Sequence, residues 1–135
     1  PIEIRSVDPV DLTNPGSRKP EQQAWLRASG SIADMAVIDD QPLHHAILAY
    51  ASDFNLMSTS ILPHAVSLMD SKLQPASLDH CIWFHDSFRA DEWLLYVMDS
   101  PRSSHARGLS RGTFFSQDGR LVASTIQEGL IRLHD

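Results

Sequence analysis

The sequence is nearly without cysteine, Cys81 being its single one. A lone thiol closes no internal disulfide and supplies too few ligands for a cysteine-rich zinc module, so neither small scaffold is available. Positive charge is scarce: 11 Lys and Arg stand against 17 Asp and Glu, a formal net charge of -6. Because nucleic-acid affinity comes largely from neutralising phosphates, that balance argues against a dedicated DNA or RNA binder. It leaves room for one phosphate-bearing small molecule held by a local pair of arginines. Long apolar runs are missing as well. None approaches the ~20 residues that span a bilayer, and the N-terminus has no apolar signal segment. Glycines are few, and none forms a Gly-x-Gly-x-x-Gly or Walker-type phosphate loop.

What is present is a globular composition, 42% hydrophobic and 21% charged, which excludes a disordered chain. At 135 residues the length suits one compact domain and is too short for two ordinary ones. The expectation is a soluble, intracellular, single-domain chain. It begins with Pro1 instead of Met, which suggests a processed or excised piece of something longer.

Residues 1–20 read as a linker or lead-in. Ile2, Ile4 and Val7 suit a short strand, but Pro9, Asn14-Pro15-Gly16 and Pro20 then punctuate the chain, and order is expected from about Glu21. Gln22 to Ser31 reads as a strand anchored by Trp25. The best helix runs from Gln41 to Phe54, with Leu43, Ile47, Tyr50, Ala51 and Phe54 on one face. Asp39 and Asp40 supply an N-cap and a first-turn acid, and Pro42 suits the first turn. Pro63 interrupts the stretch from Asn55 to Asp70, where His64 to Met69 suits a short helix or an irregular crossing. Four strands follow, over Ser77–His85, Glu92–Ser100, Ala106–Gln117 and Leu121–Leu133, with an Asp118-Gly119 hairpin turn joining the last two. One helix followed by a run of strands makes an α+β domain, the helix packed on an antiparallel sheet.

Three residues break local rules. Asp53 sits in the last turn of the helix, where the dipole disfavours an acid by about 0.3–1 kcal/mol. It reads either as a solvated helix end or as a carboxylate tuned towards a general base. Gln127 falls on the apolar face of its strand with Leu121, Ala123, Thr125, Ile131 and Leu133, and an unpaired buried amide costs about 1–3 kcal/mol. It either makes an inter-strand hydrogen bond or holds a water or a substrate carbonyl. Ser77, at a strand start, is a turn residue or a working hydroxyl; it lacks the Gly-x-Ser-x-Gly setting of a nucleophile elbow.

Other features are weaker. Asp79-His80 beside Ser77 invites a triad, but neighbours on a strand point to opposite faces. Adjacent His44 and His45 cannot share a metal from one helix face. Cys81, within an apolar strand, reads as an inert small hydrophobe. Gly108 and Gly112 share a strand face and invite close approach of another backbone, such as the central helix. Arg107 and Arg111, on the opposite face, read as a solvated stripe or as phosphate-binding residues.

The strings "AYASDFNLM", "SLDHCIWFH", "ADEWLLYVMDSP", "ARGLSRGTFFSQDGRLVAS" and "TIQEGLIR", in this order over residues 47–132, resemble the C-terminal half of the acyl-CoA thioesterase II (TesB-like) family. The resemblance implies a hotdog fold, an antiparallel sheet wrapped around one central helix, as half of a double hotdog. It assigns residues 21–135 to the C-terminal hotdog thioesterase domain. The family's catalytic aspartate falls on Asp53, its threonine on Ser77 and its glutamine on Gln127, with serine as the one departure. It implies hydrolysis of fatty acyl-CoA to free acid and CoA by an activated water, with no cofactor or metal, and Arg107 and Arg111 as candidate substrate contacts. The implied partner is the N-terminal hotdog unit of the same enzyme, with homo-oligomers beyond it and neither nucleic acid nor membrane. The apolar sheet edges and the "WLLYVM" strand support such association. A non-catalytic assembly module is the alternative. An enoyl-CoA hydratase is disfavoured because no His–Asp pairing precedes Gln41. The end at Leu133-His134-Asp135, without Ser-Lys-Leu, suggests the cytoplasm, or the peroxisome for a eukaryotic chain with a truncated terminus.

Overall fold

A computed structural model describes residues 2–30 and 40–134. The chain forms β1 (Ile2–Ser6), β2 (Glu21–Ala28), α1 (Gln41–Ala51), 3₁₀ turns at Met57–Ser60 and Leu62–His64, then β3 (Leu73–Ser77), β4 (Cys81–Phe84), β5 (Leu94–Ser104), β6 (Arg107–Phe115) and β7 (Leu121–Leu133). All seven strands join one antiparallel sheet in the order β1-β2-β5-β6-β7-β3, with β4 also on β7. This is the α+β arrangement expected.

The longest strand organises the rest. One edge of β7 pairs with β6; the other pairs with β4 over residues 123–126 and with β3 over residues 129–133. Between them, residues 78–80 leave the ladder opposite Gln127 and Glu128. The expected strand Ser77–His85 is therefore two strands with a break, and Ser77 ends the first instead of opening the second. Its Ser-Leu-Asp-His run turns away because Asp79 caps the ladder itself. The Glu128 N–H donates to Asp79 Oδ1 at 2.7 Å, and the Leu78 N–H donates to the Glu128 carbonyl at 2.9 Å. The β6–β7 hairpin turns at Asp118-Gly119 as expected, with Gly119 at φ 87°.

Period-two alternation sends Ala24 and Leu26 of β2, Leu94, Tyr96 and Met98 of β5, Phe114 of β6, and Ala123, Thr125 and Gln127 of β7 to one buried face. Against it α1 lays His44, Leu48 and Ala51, at i, i+4 and i+7, with Leu43 and Ile47 partly buried beside them. The helix is shorter than expected and its buried stripe is rotated. It ends at Ala51, leaving Tyr50 and Phe54 exposed, because His44 goes inward and accepts the Ala90 N–H at Nδ1 (3.0 Å). Asp40 is the N-cap without a side-chain cap bond. Asp39 and Ser31 lie outside the described residues.

Other expectations need correcting. Trp25 is half-buried while Ala24 and Leu26 face the core. The "WLLYVM" strand lies between β2 and β6 and buries Leu94, Tyr96 and Met98, so it is an interior strand and not exposed apolar surface. Cys81 is exposed. The close neighbours of the β6 glycines are not the helix. A Cβ on Gly108 would lie 2.4 Å from Ser60 Cβ, and one on Gly112 would lie 2.2 Å from the Tyr96 ring. Strand β1, within the expected lead-in, pairs along its whole length with β2. Among the described residues no helix is long and apolar enough to cross a membrane.

Candidate active site

Asp53 is placed by the way α1 stops. Ser52, fully buried, is the C-cap: its N–H donates to Leu48 O (2.8 Å) and its Oγ donates to Ala49 O (2.8 Å). The Ser52 carbonyl accepts the Tyr96 hydroxyl at 2.8 Å, and that hydroxyl lies 2.8 Å from Thr125 Oγ1. One residue past Asp53 and Phe54, Asn55 adopts the left-handed conformation at φ 65°, which asparagine tolerates. The Gln22 amide secures that turn by donating to Asn55 O at 2.7 Å. Asp53 thus sits just beyond the helix, not in its last turn, on a bend tied to β2, β5 and β7.

The other two groups come from the sheet. Ser77 is the last residue of β3, and Gln127 points inward from the middle of β7, opposite the break. Gln127 Nε2 donates to Asp53 Oδ1 at 2.6 Å and to Ser77 Oγ at 2.8 Å; Ser77 Oγ lies 3.5 Å from the same Asp53 oxygen. The three rule-breaking positions, 74 and 50 residues apart along the chain, converge on one point. Both acceptors fix the amide orientation, since the reverse flip would set a carbonyl oxygen against a carboxylate. The cost is visible behind it: Gln127 Oε1 is buried without a partner among the described residues, as is Ser110 Oγ, its cross-strand neighbour.

These side chains floor an open cleft of about 570 Å³ lined also by Ala49, Tyr50, Phe54, Leu78, Asp79 and His80. The Asp53 side chain is 59% exposed, and Tyr50 and Leu78 at the rim are 68% and 53% exposed. Behind the cleft, burial drives the Tyr96 hydroxyl well above the ordinary phenol range, with the Asp53 charge adding to the effect. That phenol therefore stays neutral and serves as a hydrogen-bonding strut.

His80 corrects the strand argument made from the sequence. Residues 78–80 belong to neither β3 nor β4, so the alternation of one strand does not carry through them, and His80 and Ser77 line the same cleft. Its Nε2 lies 2.7 Å from Ser52 Oγ and its Nδ1 lies 4.0 Å from Asp53 Oδ1. Arg107 and Arg111 do not join this group. They are exposed on the outer face of β6, Arg107 3.8 Å from Glu128 and Arg111 in an ion pair with Asp99. Among the described residues no group of three His, Cys, Asp or Glu side chains is placed to hold a metal ion.

Comparison with known proteins bears on the family and the fold. A family model described as Acyl-CoA thioesterase matches residues 2–130. Mouse acyl-coenzyme A thioesterase 8 is 41% identical over 133 residues, covering 98% of this chain and 40% of that protein. The crystal structure of acyl-CoA thioesterase II TesB2 from Mycobacterium marinum superposes with a TM-score of 0.78 at 39% identity, over 98% of this chain and 49% of the other. A conserved protein of unknown function with a hotdog fold from Alicyclobacillus acidocaldarius superposes with a TM-score of 0.71 at 18% identity, over 99% of this chain and 46% of the other. The chain spans less than half the length of each. It belongs to the acyl-CoA thioesterase family, and its fold is a single hotdog unit.

Proposed function

We propose that this family member is the C-terminal half-unit of an enzyme that hydrolyses fatty acyl-CoA to free acid and CoA with an activated water. The observation that carries the reading is the convergence of a carboxylate, a hydroxyl and a primary amide at hydrogen-bonding distance on the floor of an open cleft. A water seated among them donates one hydrogen to Asp53 and accepts the Ser77 hydroxyl hydrogen, while the Gln127 amide, donating to both side chains, holds them in place. Its oxygen attacks the thioester carbonyl carbon while Asp53 takes the proton. The tetrahedral oxyanion then collapses, the C–S bond breaks, and the proton held on the enzyme goes to the departing thiolate. A thiolate leaves readily, so no acyl-enzyme is needed.

The exposed Asp53 side chain and the apolar rim of Tyr50, Phe54 and Leu78 support a second part of the reading. The cleft is completed by the N-terminal hotdog unit, which covers these residues and excludes water from the reacting centre. Homo-oligomers of the completed pair follow from the sheet edges left open at β1 and β4. The competing reading is an assembly module that keeps the three residues but performs no chemistry.

Release of free thiol from a medium-chain acyl-CoA, measured for this chain alone and with the N-terminal unit added, separates the two. Thiol release in the completed pair, reduced at least ~10²-fold by Asp53→Asn, is the expected result. No release in either sample, or full activity of the substituted protein, overturns the hydrolase reading.

A further inference from the structure

We propose that His80 is a positioning residue that relays the proton Asp53 takes from water, an inference that rests on the hydrolase reading above. The tautomer follows from a count of hydrogens. Ser52 Oγ has one proton and gives it to Ala49 O at 2.8 Å. His80 Nε2 lies 2.7 Å from the same Oγ, and a ring that donates there satisfies both contacts of the serine at once. His80 is therefore the Nε2–H tautomer, and its Nδ1 is left with a lone pair. That Nδ1 is buried with no hydrogen-bond partner among the described residues, and it faces Asp53 Oδ1 at 4.0 Å.

Two facing acceptors make no bond while Asp53 is ionised. A histidine kept only for packing has no reason to leave a buried ring nitrogen unpaired, which carries a desolvation penalty. Once Asp53 has gained the water's proton, the pair becomes complementary, the carboxyl O–H donating to Nδ1. The gap is about 1 Å longer than a hydrogen bond, and such contacts tighten in working complexes. Asp53 has the freedom to close it, because its side chain is largely exposed and its Oδ2 receives no hydrogen bond from the described residues.

The relay balances. The water O–H bond breaks as its oxygen bonds the carbonyl carbon, and the proton passes to Asp53. It then moves to His80 Nδ1, forming an imidazolium and restoring the carboxylate. It returns through Asp53, the exposed member of the pair, and ends on the sulfur of the departing thiolate, leaving His80 neutral and Asp53 ionised. Besides His80, the titratable groups lining the cleft are Asp53, Asp79 and Tyr50. Asp79 is committed through Oδ1 to the Glu128 N–H, so Asp53 is the partner that the free Nδ1 meets.

The test combines a spectroscopic and a kinetic readout. Long-range ¹H–¹⁵N correlation at neutral pH is expected to show His80 as the Nε2–H tautomer in the unaltered protein, and to lose that preference in Ser52→Ala. An Nδ1–H tautomer overturns the inference whatever the activity. In the completed enzyme, His80→Gln keeps a donor for Ser52 but no ring nitrogen. It is expected to lower kcat about 10²-fold with KM unchanged and the melting temperature held. His80→Ala is expected to regain activity when imidazole is added. Full activity of His80→Gln, or no imidazole rescue, overturns the relay while leaving the hydrolase reading intact. An unaltered enzyme that releases no thiol overturns that reading and the relay with it.

Discussion

Substituting Gly112 by alanine tests the core and the site together. The new Cβ would lie 2.2 Å from Tyr96 Cε2 and 2.7 Å from Thr125 Oγ1. Carbon atoms in contact sit about 3.5–4.0 Å apart, so the ring must retreat by more than 1 Å. It has nowhere to go. The ring stacks on Phe114 with centroids 3.8 Å apart, and its hydroxyl is tied at 2.8 Å to both Ser52 O and Thr125 Oγ1. Overpacking of this kind costs about 1–3 kcal/mol. Losing the hydroxyl's bonds adds about 1–2 kcal/mol, and the stiffer unfolded chain returns about 0.5–1 kcal/mol. The net is about 1–4 kcal/mol, which for a chain of this length lowers the melting temperature by roughly 3–15 °C. Gly129→Ala is the internal control. Its Cβ meets Met57 Cγ and Sδ at 2.7 Å, the middle of an unbranched side chain that can swing aside, at a cost of about 1 kcal/mol. Urea and thermal denaturation of the two variants side by side measure the difference. Equal stability of Gly112→Ala and the unaltered chain, or a larger loss at Gly129, would refute the reasoning.

Two further outcomes are expected. Ser77→Ala removes the hydroxyl that Gln127 orients and should lower kcat about 10-fold in the thiol-release assay, the size of one lost hydrogen bond. Ser77→Thr keeps it at an exposed position with room for a methyl and should retain activity. Ser110→Ala removes a buried hydroxyl that has no partner and should raise stability by about 1 kcal/mol in urea denaturation; a loss of that size would mean the hydroxyl has a bond not seen here.

Much of the fold was legible because its strongest signals are local. The Asp118-Gly119 turn and the alternation along β7 depend on nothing distant, and Gln127 stood out as an amide among apolar neighbours. The misread parts depend on partners. The buried stripe of α1 was rotated because His44 counts as polar until Ala90 supplies its hydrogen bond. The strand at Ser77–His85 hid its break because the feature that ends β3 is a contact between Asp79 and Glu128, 49 residues away. That break is what returns His80 to the cleft, against a rule of alternation that holds only for extended backbone. Ser52, Tyr96 and Gln22 gave no warning, since each acts by holding the backbone on either side of Asp53.

The site is assembled from parts of unequal firmness. Gln127 stands on a strand paired with β6 over residues 121–130, whereas Asp53 and His80 stand on short irregular segments secured by a few side-chain contacts. Local opening begins where such contacts are few. On warming, the carboxylate is therefore expected to drift from the amide while the sheet is still whole, and under the hydrolase reading thiol release fades at a temperature below the one at which the chain melts.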